Sequence, residues 1–336
     1  MSLQHPITKD QLPLSVLDLV MVNTGGTPSQ SMRNSLDLAQ HVEKWGYTRY
    51  WLAEHHNIRG IASAATSVLI GFIAGGTSSI RVGSGGIMLP NHSPLIIAEQ
   101  FGTLESLYAG RIDLGLGRAP GTDRLTSVAL RRGNLEETEE EFPNSVKELM
   151  EYFHPGVPDK MVRANPGEGL NLPIWLLGSS LFSAQLAANL GLPFAFASHF
   201  APAYLESAVN LYREKFQPSK TLNEPYILAA VNIIAADTDK EANYLFTSIQ
   251  QMALGMIRRN HGLFQPPVDD MNDKWNGLEK YSVDERLKYS FVGDPITVKK
   301  GLDSFLTRID VDEIMCASHI YDHAARLRSF EILASL

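Results

Sequence analysis

Eight times along this chain a short, nearly uncharged run rich in Val, Leu and Ile gives way to a longer amphipathic segment, and few folds can be built on that alternation. Short apolar runs without polar alternation read as strands covered on both faces, the pattern of a parallel sheet. "SVLDLVMVN" (15–23) is the first of them. In the segment that follows, Thr27 is placed to cap a helix, Pro28 takes the first helical position and Gln30 stands where a reciprocal capping partner belongs. Leu38, Val42 and Trp45 then share one face, and Gly46 supplies the stop. Further strands are read at 48–56, 80–90, 111–117, 173–179, 193–199, 225–237 and 311–319, with helices between them and a last one at 322–334.

Eight strand–helix units are the count of a closed (β/α)8 TIM barrel, an α/β fold whose chemistry sits at the C-terminal ends of the strands. No Gly/Ser-rich or Pro-rich linker divides the chain, so residues 1–336 read as one barrel domain with insertions after strands four and seven, at about 119–170 and 261–293. Stretches of that length suit covers over an active site. Acidic residues outnumber basic ones 37 to 29, which argues against nucleic acid or an anionic membrane as a partner. "SVLIGFIAGG" is too short to span a bilayer. Cys316 is the single cysteine and lies in an apolar run, so neither an internal disulfide nor a thiolate zinc cluster is open to the chain. The first residues lack a basic start followed by an apolar core, and the expectation is a cytoplasmic protein.

The unusual residues gather at strand ends. His55 and His56 end the second strand, "GSGG" lies near the end of the third, Arg118 follows the fourth, "GSS" the fifth and His199 the sixth. A metal hydrolase is one reading of such histidines. Metal barrels use His-x-His, because alternate strand residues point to the same side. Adjacent histidines point to opposite sides, and neither a helical His-x-x-x-His nor a dense carboxylate cluster is present, so no metal ligand is assigned.

"GLGRAPG" (115–121) has Gly-x-Gly-x-x-x-Gly spacing with Pro120 where a helix would start, which is not the dinucleotide fingerprint. It reads instead as a bare turn that lets a ligand approach backbone, with Arg118 free to pair with a phosphate. The fifth strand ends in Gly178, and a helix opens at once with Ser179, Ser180 and Ser183. Helix N–H groups, the positive dipole end and hydroxyls make an anion site there, although simple capping by Ser179 is an equal use of the same residues. Three glycines in "VGSGGIMLP" (82–90) point to a bulge, an unusual peptide or a flat ligand against backbone.

Together these segments resemble the bacterial luciferase-like flavin monooxygenases. "WLAEHH", "VGSGGIMLPNHSPLIIAEQFGTLESLYAGRIDLGLGR", "SSLFSAQLAANLGLP" and "VGDPITVKKGLDSFL" resemble that family's signatures, in order, over about 15–335. The resemblance implies a dimeric barrel that binds reduced FMN. Its phosphate would lie on Arg118, Ser180 and Ser183, and a non-proline cis peptide at Gly85–Gly86 would lie under the flavin ring. It further implies His55 as the catalytic histidine with His56 as its neighbour, a small organic substrate, dioxygen, and a separate NAD(P)H-dependent flavin reductase. Ser179 stands where luciferases carry a glutamate and Gly117 where they carry a reactive cysteine, so light emission does not follow. The same barrel also serves the deazaflavin coenzyme in hydride transfer, and a non-catalytic flavin-binding protein is a further alternative.

Overall fold

The computed structural model describes residues 12–131, 141–156 and 162–336. Its first half runs β1 (Leu14–Asp18), α1 (Pro28–Lys44), β2 (Arg49–Leu52), α2 (Thr66–Gly75), β3 (Arg81–Ser84), β4 (Ile87–Met88), α3 (Pro94–Leu107), β5 (Ile112–Gly117), α4 (Arg124–Arg131) and α5 (Phe142–Phe153). The second half runs β6 (Ile174–Gly178), α6 (Leu181–Leu190), β7 (Phe194–Phe196), α7 (Leu205–Lys215), β8 (Ile227–Ala235), α8 (Asp239–Ile257), α9 (Gly277–Arg286), β9 (Ser290–Gly293), α10 (Pro295–Arg308), β10 (Glu313–Ala317) and α11 (His323–Ala334). Strands β1, β2, β3, β5, β6, β7, β8 and β10 pair in parallel in that order, and β10 returns to β1. The ring closes, as a (β/α)8 barrel requires.

The strands are shorter than their apolar runs. β2 stops at Leu52, so His55 and His56 lie in the loop beyond it, and His199 lies beyond β7. The glycine-rich third run splits into β3 and β4 around a cis Gly85–Gly86 peptide. There the β3–β5 ladder lapses, and Ser84 bridges the gap: its Oγ donates to the Gly115 carbonyl at 2.8 Å and accepts from the Gly115 N–H at 2.9 Å. Backbone groups buried at such a break need a side-chain partner.

Thr27 caps α1 by accepting from the Gln30 N–H. Gln30 does not reciprocate, because its amide donates along the helix to Asn34 instead. The second insertion is more ordered than its irregular composition suggests. An Asn276–Glu279 capping box starts α9, and β9 adds to β8 from Asn232 to Ala235. In the first insertion α4 and α5 are described, and residues 132–140 between them lie outside the described residues. Among the described residues no helix is long and apolar enough to cross a membrane.

Side chains fill the barrel in layers. Leu17, Trp51, Trp175, Ala195, Leu228, Ala230 and Met315 form the interior, with the two tryptophans edge to face at 5.1 Å. Below them lies a charged floor that apolar strand runs do not announce. Arg49, 2% exposed, pairs with Glu313 at 2.7 Å and with Asp113 at 2.8 Å, and Asp113 also takes Arg81 at 2.7 Å. Burial pushes the Asp113 carboxyl up, but the two guanidiniums outweigh it and hold it below its usual value. Removing one member strands the others without solvent, so Arg49→Met is expected to lower unfolding free energy by about 3–5 kcal/mol in urea titrations. A loss under about 1 kcal/mol would mean the floor contributes little.

Candidate active site at the C-terminal rim

The loops beyond β2, β4 and β5 are joined through one carboxylate. Glu54 is buried, and its Oε1 lies 2.7 Å from His56 Nε2 and 2.9 Å from His92 Nε2. Asn91 donates to the same oxygen at 3.2 Å and the Met88 N–H to Oε2 at 2.9 Å. Burial pushes the Glu54 carboxyl up, yet the His56 and His92 contacts and the Met88 N–H bring it down to about 2. Asn91 continues to the Pro120 carbonyl, and Thr122 donates to the His56 carbonyl, which fixes the turn after Arg118. His56 is thus a brace for Glu54.

A carboxyl lowered on folding stabilises above its ordinary value of 4.5 and loses that contribution as pH falls toward about 2. Wild type is therefore expected to lose more stability than Glu54→Gln between neutral pH and about pH 3, a comparison that urea midpoints read directly.

His55 faces a second group. Burial holds its imidazole below the usual 6.5, with the Gly121 carbonyl and Glu54 opposing and His56 adding to the depression. His199 and His319, beyond β7 and β10, are pushed down to about 3 and about 4, by burial first and then by neighbouring positive groups. His55 acts on both, so the three imidazoles, from three strand ends, lie within electrostatic reach of one another and favour their neutral forms. The Nδ1 atoms of His199 and His319 are buried without a hydrogen-bond partner. Among the described residues no three His, Cys, Asp or Glu side chains converge in a metal-holding group.

The third feature joins β5 to α6. The cap of α6 is Ser180, one residue later than its sequence suggests, and the Ser180 side chain makes no capping hydrogen bond. Thr27, Thr238, Asn276, Asp294 and Asp322 all cap their own helices, whereas Ser180 on α6, like Ser93 on α3, leaves its helix without a side-chain cap. Ser179 is part-buried just ahead of the cap and Ser183 is buried in the first turn. Gly178 allows that turn to press on β6, because a Cβ there would come within 2.5 Å of the Ser183 Cβ. Arg118 reaches across from the end of β5, its guanidinium 4.3 Å from the ring centroid of Phe182. An arginine and an open helix N-terminus therefore face the same place.

The sequence-predicted residues His55, His56, Gly85, Gly86, Arg118 and the serines all lie at the C-terminal rim, and sequence reasoning missed the groups that contact them. Glu54 was legible as a lone acid in an uncharged run, and His319 as a strand-ending histidine like His55. Phe182 and His92 gave no comparable signal, since their roles come from contacts distant in sequence.

A family model described as luciferase-like monooxygenase matches residues 13–302. A "Luciferase-like monooxygenase" of Escherichia coli strain K12 is 53% identical over 97% of this chain and 97% of its own. The crystal structure of apo-MsnO8 superposes with a TM-score of 0.90 at 33% identity, covering 97% of this chain and 98% of that one. The oxygenating constituent of 3,6-diketocamphane monooxygenase from Pseudomonas putida, a type II Baeyer–Villiger enzyme solved with FMN, shares the fold at a TM-score of 0.71 and 19% identity, covering 96% and 97%. With the signatures in order along the sequence, the barrel closed and the rim residues assembled, the chain belongs to the luciferase-like monooxygenase family.

Proposed function

We propose that this protein is a flavin-dependent monooxygenase that uses reduced FMN and dioxygen on a small organic substrate, with the flavin supplied by a separate NAD(P)H-dependent reductase. The observation that carries the reading is the pairing of Arg118 with the uncapped N-terminus of α6. Such a terminus is an anion site, and a guanidinium stacked beside it adds a fork that fits a phosphate. The residues present fit FMN. Arg118, Ser180 and Ser183 would take the phosphate with Ser179 at their edge, and the bare Gly85–Gly86 backbone would lie against the flat ring.

Reduced FMN, when bound, supplies two electrons and the position at which dioxygen is activated. The remaining steps belong to the chain. His55, held neutral, takes up or returns a proton at the imidazole nitrogen turned away from the Gly121 carbonyl. His56 and His92 keep Glu54 ionised, and Glu54 keeps the His55 loop in register with β4. The insertion carrying α9 and β9 joins the C-terminal half of β8 beside this rim, where it would limit water once the site is filled. Val68 and Phe72 on α2 and Leu107 on α3 are 69%, 44% and 67% exposed, which suits burial against a second copy in a homodimer.

Anaerobic titration with reduced FMN, followed by air, tests the reading. Saturable binding and substrate-dependent oxygen consumption are expected. Absence of FMN binding, or binding of the deazaflavin coenzyme in its place, would replace it with hydride transfer or a different ligand.

A further inference from the structure

Arginines that are at least partly buried normally find a partner, because an unpaired charge taken out of water is costly. Arg49, Arg81, Arg213 and Arg326 are ion-paired, Arg111 is spread over carbonyls and a hydroxyl, and Arg131 donates to Asn91. Among the described residues two part-buried arginines have neither a carboxylate nor a hydrogen-bond acceptor: Arg118 and Arg286. A flavin has one phosphate, and Arg118 with α6 accounts for it. Arg286 is left over.

Its position is fixed by the second insertion. Arg286 is the last residue of α9, and β9 follows it onto the C-terminal half of β8. Asn232 on β8 ties that junction to the site, donating to the His199 carbonyl at 2.7 Å and to Ser290 Oγ at 3.2 Å. The Arg286 guanidinium lies 5.7 Å from the ring centroid of Phe200, which in turn meets the His199 ring edge to face at 4.7 Å. Arg286 is thus held at the imidazole group, while Arg118 is held at the start of α6. Its charge also reaches His199 and is itself desolvated.

We infer that Arg286 recognises a carboxylate on the substrate, with Phe200 supporting the guanidinium and the body of the molecule lying toward His55, His199 and His319. The inference rests on the flavin-monooxygenase reading for what happens to that substrate, and it names the substrate class. Guanidinium suits the task, since it stays charged when desolvated and meets a carboxylate with two parallel N–H donors. Neutral imidazoles beside it leave the incoming anion as the natural counter-charge.

Calorimetric titration of FMN-loaded protein with hexanoate and with hexanamide, in wild type, Arg286→Gln and Arg286→Lys, tests this. Wild type is expected to bind hexanoate about tenfold or more tightly than hexanamide. Arg286→Gln is expected to erase the difference with FMN affinity unchanged, and Arg286→Lys to restore part of it. Equal binding of the two probes, no binding of hexanoate, or a preference that survives Arg286→Gln would overturn the inference. Arg286→Gln weakening FMN as much as hexanoate would also overturn it, by assigning Arg286 to the flavin. Failure of wild type to bind FMN would instead remove the monooxygenase reading, and the same comparison on unloaded protein would still report on Arg286.

Discussion

Replacing His55 with alanine is expected to lower substrate oxidation by about 10²–10⁴-fold, the range lost when a positioned acid–base group is removed. FMN affinity is expected to stay within about twofold, because the proposed phosphate cradle is built from Arg118 and the start of α6 and not from the His55 imidazole. The wild-type pH profile carries a second signature. Burial holds the His55 imidazole below 6.5, so the neutral form persists as pH falls past that value. The acid limb of the rate, where protonation of a required base removes activity, is therefore expected below pH 6.5. Steady-state oxygen consumption across pH, with FMN saturation checked at each point, measures both. A His55→Ala protein that oxidises substrate at the wild-type rate with FMN equally bound would remove the assignment.

Arg118→Ala is expected to raise the Kd for FMN by about 10–100-fold, since a charge-assisted hydrogen bond to phosphate contributes about 1.5–3 kcal/mol. Arg118→Lys is expected to fall between the two proteins, keeping charge but losing the fork and the stack on Phe182. Quenching of flavin fluorescence on titration reads the affinities, and riboflavin, which lacks the phosphate, serves as the control ligand. The Arg118→Ala loss is expected for FMN and nearly absent for riboflavin. An equal loss for both would move Arg118 from the phosphate to the ring.

The barrel was legible because its evidence is local: uncharged strands, capped helices and their repeated alternation need no long-range contact to be read. Site positions were legible for the same reason, since histidines at 55, 56 and 199 and the glycines at 85 and 86 interrupt otherwise ordinary strand ends. What joins them was not. Arg49, Asp113 and Glu313 meet inside the barrel from strands that are up to 264 residues apart in sequence. Glu54 draws His56, His92 and Asn91 from two loops, and no spacing rule encodes that convergence. The cap of α6 falls on Ser180 instead of Ser179, a shift that leaves its hydroxyl available. β9 escaped notice because a four-residue strand inside a polar insertion is shorter than any periodicity can resolve. The contact of Arg286 with Phe200, from which the proposed carboxylate site is argued, is of the same long-range kind.

A crystal structure of the FMN complex tests the central claim most directly. The account predicts the phosphate within hydrogen-bonding distance of both the Arg118 guanidinium and the N-terminus of α6 at Ser180, with the ring extending toward Gly85–Gly86. Density for FMN elsewhere on the barrel, or a phosphate bound without Arg118 and Ser180, would contradict it.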